Sequence, residues 1–167
     1  MYLALTDLFR AKWTEAIHEE WMRCVRRDYP DITQAQVKRI RDLMNAHVRD
    51  CLVTDYEDLI EALRLPDPND RHVLAAAISA GASLIVTFNL ADFPEKTLAK
   101  YGIEAQHPDE FIMNLLDLAP NLVCFAARKQ RESLKNPPLT VQQYLESLER
   151  QGLTQTASAL RRFADRI

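Results

Sequence analysis

The sequence predicts an α/β fold that continues into a helical C-terminal segment. Before Pro108, short apolar and β-branched runs alternate with helix-like stretches, which indicates strands and helices in turn. One run, SLIVT at residues 83–87, is apolar without alternation, as is typical of a parallel strand covered on both faces. After Pro108, apolar residues recur at helical spacing and no further strand is predicted.

Length and composition predict a chain that folds unaided and does not enter a membrane. Its 167 residues suffice to bury a core, and the hydrophobic fraction of 47% is an ordinary globular value. No apolar run approaches the ~20 residues that a membrane helix needs, so we expect no membrane partner. The N-terminal MYLALTDLFR lacks the basic start of a secretory signal, which favours a cytoplasmic protein.

Charge and cysteine content narrow the kinds of partner. The formal net charge of −3 gives no global basic field, so nucleic acid would need a local patch such as Arg23, Arg26 and Arg27. A solvated helix face is the more ordinary explanation of such a patch. The cysteines are odd in number and form no CxxC pair, which predicts buried free thiols and neither a disulfide framework nor a zinc site.

Short runs and punctuating residues place the individual elements. Strands are predicted at residues 51–54, 83–87 and 103–105, with a weaker candidate at 11–13. Helix starts are predicted at capping signals, namely Thr33 with Gln36, Asp67 with Pro68, Asp92 before Phe93 and Pro94, and Thr140 with Gln143. The three glycines each follow a helix-like stretch and predict helix ends, at Gly81, Gly102 and Gly152.

The chain beyond the last strand is predicted to be helical throughout. Helical patterns cover residues 111–118, 122–134, 141–148 and 156–163, with a break at Pro137 and Pro138. We therefore predict an α/β domain over residues 1–117 and a C-terminal helical appendage over residues 118–167. The apolar residues of these helices are interpreted as packing residues.

Asp70 is the first residue that could carry chemistry. If a helix begins at Pro68, Asp70 lies above a core-facing apolar stripe that includes Val73 and Leu74. An inward carboxylate at a helix N-terminus either is held by local donors or helps to bind a cation. From position alone, a capping box between Asp67 and Asp70 is as probable as chemistry.

The end of the SLIVT run brings further oxygen donors. Ligands of parallel sheets bind beyond the carboxyl ends of strands, where Thr87, Asn89 and Asp92 follow in this sequence. Glu20 is a further candidate at the start of a helix, although most acids in that position are solvated and complement the helix dipole. The string HEEWM is not a zinc-protease motif, because Met22 replaces the second histidine.

Three segments resemble PIN-domain proteins, especially the bacterial branch that includes VapC-like toxins. DPNDRHVLAAAISAGASLIVTFNLADFP at residues 67–94 resembles the central signature of that family. AKWTEAIHEEW at residues 11–21 is similar to its second-acid strand and helix, and GIEAQHPDEF at residues 102–111 is similar to its last strand and closing helix. The resemblance covers roughly residues 2 to 118, and it implies a three-layer α/β/α fold around a parallel sheet.

The resemblance implies RNA hydrolysis that depends on Mg²⁺ or Mn²⁺, with a protein antitoxin as a further partner. It implies that Glu20 and Asp70 bind the metal directly and that Asn89 replaces an acid as a neutral oxygen ligand. Asp92 would bind through water, and Thr87 would orient the site.

One departure from the family qualifies these expectations. Family members open with an apolar strand that ends in Asp, whereas this chain opens with MYLALTDLF, which resembles the helix after that strand. The favoured explanation is that the natural protein starts further upstream. The alternatives are that the remaining ligands suffice weakly, or that the chain is a degenerate member without nuclease activity. If the strand is absent, the exposed sheet centre predicts a homodimer. The rival function is a non-catalytic PIN-like module that binds RNA or protein.

Overall fold

The chain divides into two compact units in the computed structural model, which describes residues 1–167. We call Arg10–Ile85 with Asn89–Ala105 the central unit, and Met1–Phe9, Val86–Phe88 and Gln106–Ile167 the helical unit. None of the helices combines the length and the apolar character required to cross a membrane.

Five α-helices belong to the central unit. They are α1 at Glu15–Asp28, α2 at Gln34–His47, α3 at Glu57–Ile60, α4 at Arg71–Ser79 and α5 at Glu95–Leu98. Short 3-10 turns precede or follow some of them, at Pro68–Asp70, Leu90–Asp92 and Ala99–Tyr101. Helix α1 packs on α2, and α3 packs on α4.

Two strands, β1 at Leu84–Val86 and β2 at Glu104–Gln106, form a small parallel sheet. The Ser83 carbonyl accepts a hydrogen bond from the Glu104 amide at 3.0 Å, and the Gln106 carbonyl accepts one from the Thr87 amide at 3.0 Å. The predicted α/β class, with strands at residues 83–87 and 103–105, is therefore confirmed.

The other two predicted strands, at residues 11–13 and 51–54, are wrong as full strands. They reduce to one parallel bridge between Trp13 and Leu52. The physical reason lies at the ends of the second segment, because Asp50 and Asp55 adopt left-handed backbone angles with φ of 49° and 59°. These two residues turn the chain and leave too few extended residues for a ladder.

Side-chain caps confirm most of the predicted helix starts. Thr33 with Gln36, and Thr140 with Gln143, form complete capping boxes. Asp92 is a correction, since it ends a 3-10 turn and does not cap α5, whose N-cap is Pro94.

The core of the central unit is built around α4. Leu74, Ala75 and Ala76 are buried along this helix together with Ile85 of β1. The small alanine side chains allow the neighbouring backbone to approach closely, and the same buried cluster includes Leu98 from α5. This packing fixes the helix whose first turn carries Asp70.

Four α-helices form most of the helical unit. They are α6 at Pro108–Leu118, α7 at Pro120–Ser133, α8 at Val141–Arg150 and α9 at Thr154–Leu160. The N-terminal 3-10 helix Tyr2–Thr6 packs on α7, and Asp7 follows it in a left-handed conformation, outside the helix in which the sequence placed it. The C-terminal helices are thus confirmed, whereas a domain boundary at residue 118 stays a prediction, because compact units need not coincide with independently folding domains.

The cysteines are all free, as predicted, but they are not all buried. Cys51 and Cys124 are buried, and burial raises the pKa of each thiol. Cys24 is exposed on α1. The prediction of three buried thiols is therefore wrong for Cys24.

Replacing Gly152 with alanine is expected to destabilise the chain by about 1 kcal/mol. Gly152 has φ of +83°, whereas an added Cβ would lie 3.5 Å from Phe88 Cε1, an ordinary contact. The cost therefore comes from the left-handed backbone. Urea denaturation followed by circular dichroism measures it, with Gln151→Ala as control, because Gln151 has an ordinary φ of −89°. Equal midpoints for both variants would contradict this account.

Candidate functional site

Asp70 stands at the end of the 3-10 turn that leads into α4. The neighbouring Asp67 caps this turn, because its carboxylate accepts a hydrogen bond from the Asn69 amide at 2.8 Å. Asp70 makes no side-chain capping hydrogen bond. The capping box between Asp67 and Asp70, one of the two alternatives that the sequence left open, is therefore not formed.

Asp92 is a second acid of the candidate site. It ends the 3-10 turn after β1, and its negative charge acts on the Asp70 carboxyl. The pKa of Asp70 is raised, first by burial and then by the negative charges of Asp92 and Asp67, with Glu20 adding a smaller contribution. Neighbouring carboxylates that repel each other favour a proton or a cation between them.

Asn89 supports Asp92 from the same loop. Its side-chain amide nitrogen donates a hydrogen bond to Asp92 Oδ2. The structure therefore shows Asn89 as a hydrogen-bond donor to an acid. Its role as a neutral metal ligand stays a prediction.

Glu20 lies on α1, and its carboxylate contacts a histidine that the sequence did not indicate. His72 Nε2 is 3.0 Å from Glu20 Oε1, with Glu20 half exposed and the His72 side chain 13% exposed. Because a carboxylate only accepts hydrogen bonds, Nε2 carries the proton and donates it. No sequence pattern pairs residues that are 52 positions apart, although His72 stands two residues after Asp70.

A buried polar network fixes the helix that carries Glu20. The Thr14 hydroxyl caps α1 by accepting a hydrogen bond from the Ile17 amide at 3.1 Å. His18 is buried, and its Nδ1 accepts a hydrogen bond from the Trp21 indole at 2.8 Å. Its Nε2 therefore donates to Asn45 Oδ1 at 2.9 Å. Both ring nitrogens of His18 are thus engaged by protein groups.

Thr87 belongs to the helical unit and directly follows β1. Its backbone amide extends the strand pairing by donating to the Gln106 carbonyl at 3.0 Å. The role predicted for its side chain, orientation of the site, stays a prediction.

Carboxylate oxygens such as those of Asp70 and Asp92 are ligands of the type that hard divalent cations prefer. No group of three or more His, Cys, Asp or Glu side chains is already spaced to hold a metal ion. Mg²⁺, however, is usually bound by only one or two carboxylates, with water and substrate phosphate oxygens completing its shell. The Asp70 and Asp92 pair supplies that number, and the charge of Glu20 also acts on Asp70.

Comparison with known proteins gives two family matches. Residues 2–91 match the PIN domain, and residues 108–162 match the VapC50 C-terminal domain. Glu20, Asp70, Thr87 and Asn89 lie within the first match, and Asp92 lies one residue beyond it.

One curated relative and no solved structure accompany these matches. "Putative ribonuclease VapC50" of Mycobacterium tuberculosis is 39% identical over 108 residues, which cover 65% of this chain and 63% of that protein. The match thus spans less than two thirds of the relative's length. No solved structure matches the chain.

Proposed function

Because this chain is a VapC-like member of the PIN-domain family, we propose that it is an endoribonuclease that depends on Mg²⁺ or Mn²⁺. The observation that supports this most directly is the carboxylate pair of Asp70 and Asp92, in which burial and then the charge of Asp92 raise the pKa of Asp70. Such a pair is costly to the empty protein and becomes favourable once a cation neutralises it.

Four side chains of the central unit would have different roles in such a site. Asp70 and Asp92 would hold the cation, and Glu20 would contribute a further oxygen. The Asn89 amide donates to Asp92 and so restrains its carboxylate. When bound, the cation would activate a water molecule and stabilise charge that develops on the phosphate.

The RNA backbone would follow α1 away from the acids. Glu20, Arg23 and Arg27 are spaced at i, i+3 and i+7, which places them on one face of this helix. Arg23, Arg26 and Arg27 are all exposed. Arg27 also forms an ion pair with Asp28 at 2.7 Å. These cations offer the local basic patch that a chain of net charge −3 needs for a polyanion.

Two protein partners belong to the same proposal. The VapC-like relationship supports a protein antitoxin, and a homodimer is proposed from the small parallel sheet, whose edges can pair with another chain. Light scattering on the purified chain tests the second partner. A monodisperse monomer would contradict it.

Removing the divalent cation is expected to stop RNA cleavage reversibly. A mixed single-stranded RNA is incubated with the chain and Mn²⁺, with EDTA, and with EDTA followed by excess Mn²⁺. Cleavage that disappears with EDTA and returns with Mn²⁺ supports the proposal, because carboxylate pairs of this kind act through the cation. Cleavage that is indifferent to EDTA would contradict it.

A non-catalytic module that binds RNA or protein is the second candidate. It is favoured by the exposed Arg23 and Arg26 of α1, which offer RNA a basic surface that requires no metal. A folded chain that retains RNA in a filter-binding assay, but leaves it intact with Mn²⁺, would support this candidate against the first.

A further inference from the structure

Glu20 and His72 form a pair that joins α1 to the start of α4. The His72 side chain is mostly buried, at 13% exposed, whereas the Glu20 side chain is 46% exposed. We propose that His72 is a positioning residue, which holds one oxygen of Glu20 so that the other faces a divalent cation bound by Asp70 and Asp92. This inference rests on the metal-dependent activity proposed above.

The hydrogen bond fixes which atoms are engaged. His72 Nε2 donates to Glu20 Oε1 at 3.0 Å, so this oxygen is oriented by the histidine. The structure gives Glu20 Oε2 no hydrogen bond in this pair. A carboxylate held by one oxygen loses rotational freedom and presents the second oxygen in a fixed direction, as metal-binding carboxylates generally do.

The other ring nitrogen of His72 lowers the stability of the folded chain. His72 Nδ1 is buried and has no hydrogen-bond partner. Unsatisfied buried polar atoms are rare in folded proteins, because each loses its hydration without compensation. An apolar residue at this position would avoid that loss, so the benefit of the histidine lies at Nε2 and its contact with Glu20.

A purely structural tie between two helices is the competing explanation. In that case, removal of the donor would lower the stability of the chain and leave cation binding by Asp70 and Asp92 unchanged. A positioning role predicts that stability is retained and cation binding is weakened. An apolar replacement removes the unsatisfied Nδ1, which spares stability, and releases Glu20, which weakens binding. Stability and Mn²⁺ affinity therefore separate the two explanations.

The test measures Mn²⁺ affinity by electron paramagnetic resonance, and thermal unfolding without metal, on the full chain. His72→Leu and His72→Phe both remove the donor with buried side chains of similar size, so either folded variant decides the question. His72→Gln keeps an N–H donor and serves as the rescue variant. Asp70→Asn serves as the reference for loss of a direct ligand.

We expect Mn²⁺ affinity to fall about 10-fold in the Leu and Phe variants, while thermal stability is retained or raised. His72→Gln should recover most of the affinity. Wild-type affinity in a folded Leu or Phe variant, with Asp70→Asn impaired, would overturn the role of His72 alone. Equal affinity in the wild type and Asp70→Asn, or no Mn²⁺ binding by the wild type, would overturn the metal site and this inference with it.

Discussion

Replacing Asp70 with asparagine is expected to abolish Mn²⁺-dependent RNA cleavage while raising the stability of the metal-free chain. Loss of residues that merely support metal ligands lowers activity by about 10- to 100-fold, so loss of a direct ligand should exceed 100-fold. The gain in stability follows from the raised pKa of Asp70, since burial and the charges of Asp92 and Asp67 disfavour its ionised form.

The sign of the pH dependence is opposite to that of a stabilising ion pair. A carboxyl whose pKa is raised above the ordinary 3.8 keeps its proton to higher pH in the folded state than in the unfolded state. Its ionisation therefore destabilises the fold as pH rises through the folded pKa. The stability advantage of Asp70→Asn should be largest at neutral pH and should vanish in acid below the ordinary carboxyl range.

Urea unfolding followed by tryptophan fluorescence measures this effect, because both tryptophans, Trp13 and Trp21, lie in the central unit. Asp58→Asn is the matched control, since Asp58 is an exposed acid of the same unit and its charge does not act on Asp70. A loss of stability in Asp70→Asn at neutral pH, with cleavage intact, would identify Asp70 as a structural residue.

Local chemistry explains which parts of the structure were predictable from the sequence. Thr33 and Thr140 each stand three residues before a glutamine, and this spacing alone determines the capping boxes that are observed. The apolar SLIVT run likewise indicates a strand, which β1 confirms. The predicted cover on both faces is wrong, because Val86 is 43% exposed. Such signals act over a few residues, so they require no knowledge of the fold.

Long-range contacts explain what the sequence did not reveal. Asp70 was a candidate because it opens a helix, and Asn89 and Asp92 because they follow the carboxyl end of a strand. The charge of Asp92 does act on Asp70. The contact between Glu20 and His72 depends on how α1 crosses α4, which no periodicity encodes. The segment 51–54 was misjudged for a related reason, since its apolar character gave no warning of the left-handed backbone at either end.

The same limitation concealed a buried acid in the helical unit. Asp109 lies in the first turn of α6, where an acid is ordinarily explained by the helix dipole. It is only 3% exposed, and its two carboxylate oxygens accept hydrogen bonds from the Gln155 and Thr156 amides, at 2.9 Å and 2.8 Å. Those amides begin α9, which has no side-chain cap of its own. Asp109 therefore caps a helix that lies more than forty residues away in sequence.

Replacing Asp109 with alanine is expected to destabilise the chain by about 3 kcal/mol. Two hydrogen bonds to a charged acceptor are lost, and the buried Thr156 amide keeps no partner. Burial raises the pKa of Asp109, but the hydrogen bonds from Thr156 and Gln155 outweigh it and lower the net pKa below the ordinary 3.8. A lowered carboxyl pKa contributes stability above the unfolded pKa that is lost as pH falls toward the folded value.

The stability difference between the wild type and Asp109→Ala should therefore be largest at neutral pH and should shrink in acid. Ionisation of Asp109 stabilises the fold, whereas ionisation of Asp70 destabilises it. Urea denaturation followed by circular dichroism measures this difference at neutral pH and in acid. Glu110→Ala is the matched control, since Glu110 is the exposed acid in the same turn of α6. If the two alanine variants unfold at the same urea concentration, the Asp109 carboxylate does not hold α9, and the helix end must be stabilised by its apolar contacts alone.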